Sequence, residues 1–206
     1  MYEYMRQGGA LMWIIASLSL AAAAVAAERI LFFIKASANP VKIEREFGQA
    51  MSQGDLSGAW KIVEGGDTSM HRLFKSALAH WSISGDDMKL MLEQLVRHEI
   101  YRWGKHLYIL EIIGKAAPLL GLLGTVLGMV EMFHSLHIGG QVSASAVTGG
   151  IWKALFTTVA GLAVAIPTIF VHGLLSSRID REEEKLQMGS DFLLREHNIK
   201  SEGTKK

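Results

Sequence analysis

Three threonines sit where hydroxyls are scarce. Thr125 lies in the apolar stretch APLLGLLGTVLGM, and Thr157 and Thr158 lie in ALFTTVAGLAVAIP. A hydroxyl both donates and accepts hydrogen bonds, so a threonine facing a neighbouring helix can carry water or a hydrated cation along a packed interface. The same side chain can instead bond the carbonyl one turn back on its own helix, a role that leaves Thr125 no chemistry. The residues around these hydroxyls are small. Gly121, Gly124 and Gly128 accompany Thr125, and Gly150, Ala154, Thr158, Gly161 and Ala165 follow spacings of 4, 4, 3 and 4. Glycine costs a helix roughly 1 kcal/mol relative to alanine. In a bilayer, where lipid is as apolar as leucine, small residues in return let two helices pack closely.

The other reactive side chains form weaker patterns. Lys153, just ahead of ALFTT, can snorkel to the outer interface beside Trp152. His134 and His137 share a helical face, but two ligands without a third make a poor metal site, so neither a metal nor a cofactor is expected. The stretch GGIWKALFTT lacks the GxxxxGK[ST] phosphate-binding pattern. With no cysteine and no convergent acid, base and nucleophile, an enzyme is not the expected reading.

Three apolar runs must position these groups. Ala10 to Ala27 carries no charge in 18 residues and is followed by Glu28, Arg29 and ILFFI. Ala116 to Val130 reaches span length when extended to Ile109–Leu136, and Ala154 to Val171 is again uncharged. Crossing the hydrocarbon takes about 20 residues. Arg6 and the small residues Ala24-Val25-Ala26 also allow a cleaved signal peptide, but the apolar run resumes after Arg29, which favours an anchored helix. Lys35, Lys42, Arg45, Arg97, Arg102 and Lys105 lie between the first two spans, and Arg178, Arg181 and Lys185 follow the third. Phe133 to Trp152 holds neither lysine nor arginine. Basic flanks stay cytoplasmic, so the N-terminus is expected outside.

Between the first two spans the periodicity is helical. Met70, Leu73, Phe74, Ala77, Leu78 and Trp81 share one face, as do Leu56, Ala59, Trp60 and Val63 behind a cap at Asp55. From Asp86, the residues Met88, Leu92, Leu95, Val96, Trp103, Leu107 and Leu110 predict one unbroken helix into the second span, roughly 70 Å long. Ile179, Leu186 and Leu193 recur every seven residues beyond the third span and make subunit contacts plausible. The expected fold is an all-α integral membrane protein. It has three transmembrane helices, two of them extended into the cytoplasm as long helices, and a helical cytoplasmic loop region. Its segments are a periplasmic N-terminus (1–9), a first span (10–34), a helical cytoplasmic region (35–108), a second span (109–134), a periplasmic loop (135–149), a third span (150–175) and a cytoplasmic helix and tail (176–206).

APLLGLLGTVLGM together with ALFTTVAGLAVAIP resembles the MotA/TolQ/ExbB proton channel family, its ExbB and TolQ branch most closely. The resemblance implies a multi-pass protein of the bacterial inner membrane, in contact with membrane lipid and assembled as a homopentamer. It also implies an ExbD- or TolR-like single-span partner supplying a membrane aspartate, and a TonB- or TolA-like protein that spans the periplasm. Thr125 and Thr158 match the family's pore-facing threonines, with Thr157 and Lys153 as accessories to the ion pathway. Gly121, Gly124, Gly128, Gly150, Ala154, Gly161 and Ala165 would pack the helices. The expected function is an ion-conducting subunit that uses the proton motive force for TonB-dependent uptake or Tol-Pal-type envelope work. The branch, and proton versus sodium, stay open. Lys153 stands where the family's usual residue is a glutamate, and the resemblance leaves it either snorkelling beside Trp152 or pairing with the partner's carboxylate or altering access to it. The alternative is a membrane scaffold subunit without a direct role in conduction; nucleic acid is not an expected partner.

Overall fold

The computed structural model describes residues 9–36, 40–139 and 144–203, and among them every regular element is a helix. In chain order these are α1 (Gly9–Ala36), α2 (Pro40–Ser52), α3 (Leu56–Glu64), α4 (Ser69–Ala79), α5 (Gly85–Gly104), α6 (Leu107–Gly139) and α7 (Ala144–Gly203). Three of them are long and apolar enough to cross a membrane: Gly9–Ile34, Leu107–His134, and a stretch within Thr148–Ile199. Residues 1–8, 140–143 and 204–206, which carry most of the expected N-terminus, part of the loop and the end of the tail, lie outside the described residues. The helices flanking that loop run past the 135–149 boundary set by charge: α6 continues to Gly139 and α7 starts at Ala144.

The chain divides into two compact units. The apolar unit joins the helical residues up to Arg29 to His106–Leu175; the polar unit joins Ile30–Lys105 to the residues from Ser176 onward. The short helices of the polar unit start where the sequence supplies caps. Asp55 Oδ1 accepts from the Gly58 amide at 2.8 Å, and the Thr68 and Ser84 hydroxyls accept from His71 and Asp87. Asp86 and Asp87 add negative charge to the first turn of α5.

Two sequence expectations need correction. The helix from Asp86 is not continuous with the second span: α5 ends at Gly104 and α6 begins at Leu107. Lys105 turns to an extended conformation (φ −55°, ψ 132°) and His106 takes φ +67°, a left-handed geometry that breaks the helical hydrogen-bond ladder. The apolar period survives because the interruption is so short that Trp103, Leu107 and Leu110 keep helical spacing and are all buried. The heptad of α7 also has a different use. Leu186 and Leu193 are buried in the same core as Phe47, Leu73, Phe74 and Leu92, so their apolar surface is already consumed within the chain. Close approach is possible because Gly189 is bare: a methyl there would sit 2.7 Å from Met70 Sδ.

One polar cluster is built into the polar unit. Glu99 is only 5% exposed, and Arg72 clamps it with Nε at 2.9 Å and a terminal nitrogen at 2.6 Å. Arg102 donates to the same carboxylate at 3.0 Å, and Trp103 Nε1 donates to Ser69 Oγ at 2.9 Å beside it. Burial pushes the Glu99 carboxyl up, but hydrogen bonds from Arg72 and Ser69 and the charges of Arg72 and Arg102 outweigh it, so it titrates below its ordinary value. A carboxylate with a lowered folded-state pKa stabilises the fold above the unfolded pKa, and the contribution disappears as pH falls through the folded value. Chemical denaturation of the wild type between neutral and acid pH is therefore expected to show an acid loss that Glu99→Gln flattens. Arg72→Ala, which strands most of a buried charge, should cost about 3 kcal/mol at neutral pH.

Candidate helix seam in the apolar unit

In the apolar unit α6 and α7 run antiparallel with almost no side chain between them. A methyl on Gly161 would meet the Ala117 carbonyl oxygen at 2.5 Å, and one on Gly121 would meet Thr158 Cα at 2.9 Å. A methyl on Gly124 would overlap Thr157, 2.6 Å from its Cβ, and one on Gly128 would press on Ala154 Cβ at 3.1 Å. Gly150 faces Met132 Cβ at 2.9 Å in the same sense. Five glycines thus form one ladder; at four rungs a methyl would come closer than 3.0 Å to the facing helix, and at Gly128 it would be a tight contact. Ala154 (4%) and Ala165 (1%) continue the buried strip on α7.

The hydroxyls divide along this ladder. Thr157 is 1% exposed and fills the notch at Gly124; its Oγ1 donates to the Ala154 carbonyl at 2.8 Å and lies 3.5 Å from that of Gly121. Thr158 is half-buried and donates across the seam to the Gly121 carbonyl at 3.0 Å. That carbonyl is reachable because Gly121 carries nothing to shield it. Thr125 turns back to the Leu122 carbonyl of its own helix at 2.6 Å. In each case the hydroxyl hydrogen is engaged while oxygen lone pairs stay available, so the group can still accept from water or ligate a hydrated cation.

Charges stand at the ends of the seam. Lys153 Nζ donates to Glu131 Oε2 at 2.5 Å, joining α7 to α6 within one chain. At the other end Glu28 accepts from Arg29, itself 4% exposed, and lies 3.6 Å from His106 Nδ1, so α1 is tied to the residue where the α5–α6 break falls. Between these ends, Ala116–Val130 and Ala154–Val171 hold no ionisable group. Among the described residues no three His, Asp or Glu side chains converge on a metal site.

Sequence reasoning placed Thr158 in the small-residue stripe, but the deepest hydroxyl is Thr157. A 3.6-residue turn falls between spacings of three and four, so Ala154 and Gly161 alone could not fix which threonine points inward. Thr168, 7% exposed and donating to the Val164 carbonyl at 2.7 Å, was not singled out. The spacing of seven from Gly161 was the available signal. Glu131 as the partner of Lys153 was also missed, since nothing local fixes which positions of two helices face each other 22 residues apart.

Comparison with known proteins bears on this seam. The model of the MotA/TolQ/ExbB proton channel family matches residues 66–188. A Synechocystis protein named ExbB-like 3 is 30% identical over 171 residues, covering 82% of this chain and 81% of its own. A second Synechocystis protein, ExbB-like 1, is 34% identical over 175 residues, 83% of this chain and 68% of that one. The biopolymer transport protein exbB1 of Vibrio cholerae is 38% identical over 93 residues, 45% of this chain and 41% of its own.

Two substitutions test the packing. Gly124→Ala is expected to force the helices apart and lower the thermal midpoint of the detergent-solubilised chain, and adding Thr157→Gly should recover part of the loss. Recovery that fails would mean the strain lies elsewhere. For the ion pair, Lys153→Glu should place two carboxylates together and destabilise the chain in the same assay, whereas the swap Glu131→Lys with Lys153→Glu should restore most of the midpoint.

Proposed function

The chain belongs to the MotA/TolQ/ExbB proton channel family, and we propose that it is the ion-conducting subunit of an ExbB-type energy-transducing complex in a bacterial inner membrane. The carrying observation is a glycine ladder that holds Thr157 and Thr158 in a membrane helix pair whose central residues include no carboxylate. A proton or cation crossing hydrocarbon needs an ionisable group on its route. In this reading a single-span partner of ExbD or TolR type supplies that acid, and several copies of this chain surround it. The hydroxyls of Thr125 and Thr158 solvate the ion beside the acid, and Thr157 holds the wall in place. A charge falling through 100 mV releases about 2.3 kcal/mol, available to move the partner and, through a TonB- or TolA-like protein, the outer envelope. The proposed ion is the proton. The basic residues from Lys42 to Lys105 and after Arg178 support an orientation with the polar unit in the cytoplasm.

A scaffold without conduction is the second reading, favoured by the observation that all three hydroxyls already donate to backbone carbonyls. The two readings separate on near-isosteric variants. In vesicles holding the complex with its partner, Thr158→Val is expected to lower proton flux roughly tenfold or more, the worth of a hydrogen bond to a charged species. Assembly measured by native mass spectrometry should be unchanged. Full flux in both Thr125→Val and Thr158→Val would remove the conducting role and leave the scaffold.

A further inference from the structure

The polar unit holds a cavity of about 190 Å³ with an aromatic floor and a basic rim. That is room for about six waters at roughly 30 Å³ each. Phe33 and Trp103 form the floor, edge to face with ring centroids 4.7 Å apart and both almost fully buried. Arg178, Arg181 and Lys185 reach the rim from α7 at helical spacing, so three cations fall on one face. Lys185 is spoken for, since its Nζ donates to Glu182 Oε1 at 2.7 Å. Arg181 uses Nε on the Ser177 carbonyl at 3.2 Å and leaves its terminal nitrogens without a protein acceptor among the described residues. Arg178 has no acceptor among them at all.

The Glu182 carboxylate lines the same cavity but is engaged by Lys185, so two guanidinium groups stand over the aromatic floor with terminal nitrogens that have no acceptor among the described residues. Guanidinium forks match the oxygens of a phosphate better than any other side chain does. The surroundings say which phosphate. Phe33 belongs to ILFFI, the last apolar residues of the first span, and Arg178 follows the final leucines of the third span by three residues. One residue beyond Phe33 on α1, Ile34 is 68% exposed. A free anion gains nothing from that apolar flank, whereas a lipid lays its chains on it while its headgroup meets the arginines. Basic pockets and buried tryptophan at the end of a span fit this use. We infer that the Phe33–Trp103–Arg178–Arg181 cavity binds the phosphodiester headgroup of an anionic phospholipid. The inference requires that the chain be a multi-pass membrane protein and does not depend on ion conduction.

The test uses the full chain, with whatever companions co-purify, in phosphatidylcholine nanodiscs doped with spin-labelled phosphatidylglycerol. The motionally restricted fraction of label is read for wild type, for Arg178→Gln with Arg181→Gln, and for a control that removes equal charge at exposed Arg45 and Lys89. The arginine double variant is expected to weaken association about tenfold, while the control and added inorganic phosphate leave it unchanged. Equal restriction in wild type and double variant overturns the site. An equal loss in the control reduces it to general surface charge, and displacement by inorganic phosphate makes it a site for free anions; either result also overturns the lipid assignment. Arg178→Gln alone, at a side chain with no acceptor among the described residues, gives the same discrimination if the double variant does not fold.

Discussion

The close approach of α6 and α7 governs everything the apolar unit can do. Helices in lipid gain nothing from burying leucine against leucine, so contact must come from backbone meeting backbone. The glycine ladder provides that contact, with Gly161 against the Ala117 carbonyl and Gly121 against Thr158. It has a second consequence: removing side chains from Gly121 exposes a carbonyl, and Thr158 takes it. Packing and polarity are thus one feature. A hydroxyl can be kept deep in an apolar wall because the glycine opposite it offers both the space and the acceptor.

The polar unit is stabilised by different means. Its core is conventional, with Phe47, Phe74, Leu92, Leu186 and Leu193 buried together, and α7 contributes the last two. The Glu99–Arg72–Arg102 cluster is costly to desolvate, and its bonds restore what burial takes away. What it adds is position: Arg72 on α4 and Glu99 on α5 can meet in one register only. The α5–α6 break at His106 follows directly after this cluster in sequence, and Glu28 of α1 lies beside it. The left-handed residue stands in the chain between the helix that carries the buried ion pair and a helix of membrane-spanning length.

Much of this was legible in the residues. Charge-free runs announced the three spans, helical spacing announced α3 and α4, and Asp55 announced its cap, because each depends on neighbours in sequence. What was not legible depends on neighbours in space. The apolar period runs through Trp103, Leu107 and Leu110 whether or not the backbone breaks between them, so the left-handed turn at His106 left no trace in hydrophobicity. Leu186 and Leu193 looked like a surface for another subunit because a heptad is the same whether the partner is a second chain or the same one. Thr157 and Thr158 differ by 100° on a helix, yet both fit spacings of three or four from Ala154. Only the opposing glycines decide between them.

The account stands on the proposal that the wall bearing Thr158 faces a companion polypeptide rather than lipid. The chain has no cysteine, so Thr158→Cys creates a unique attachment point for a photoreactive label. Val159, 62% exposed on the adjoining face, serves as the comparison position. Irradiation in native membranes followed by mass spectrometry of the adducts reads the neighbour directly. The account predicts that label at 158 is captured by a single-span protein, at a peptide containing a membrane acid, while label at 159 gives lipid or another copy of this chain. Lipid adducts alone at 158 would contradict it.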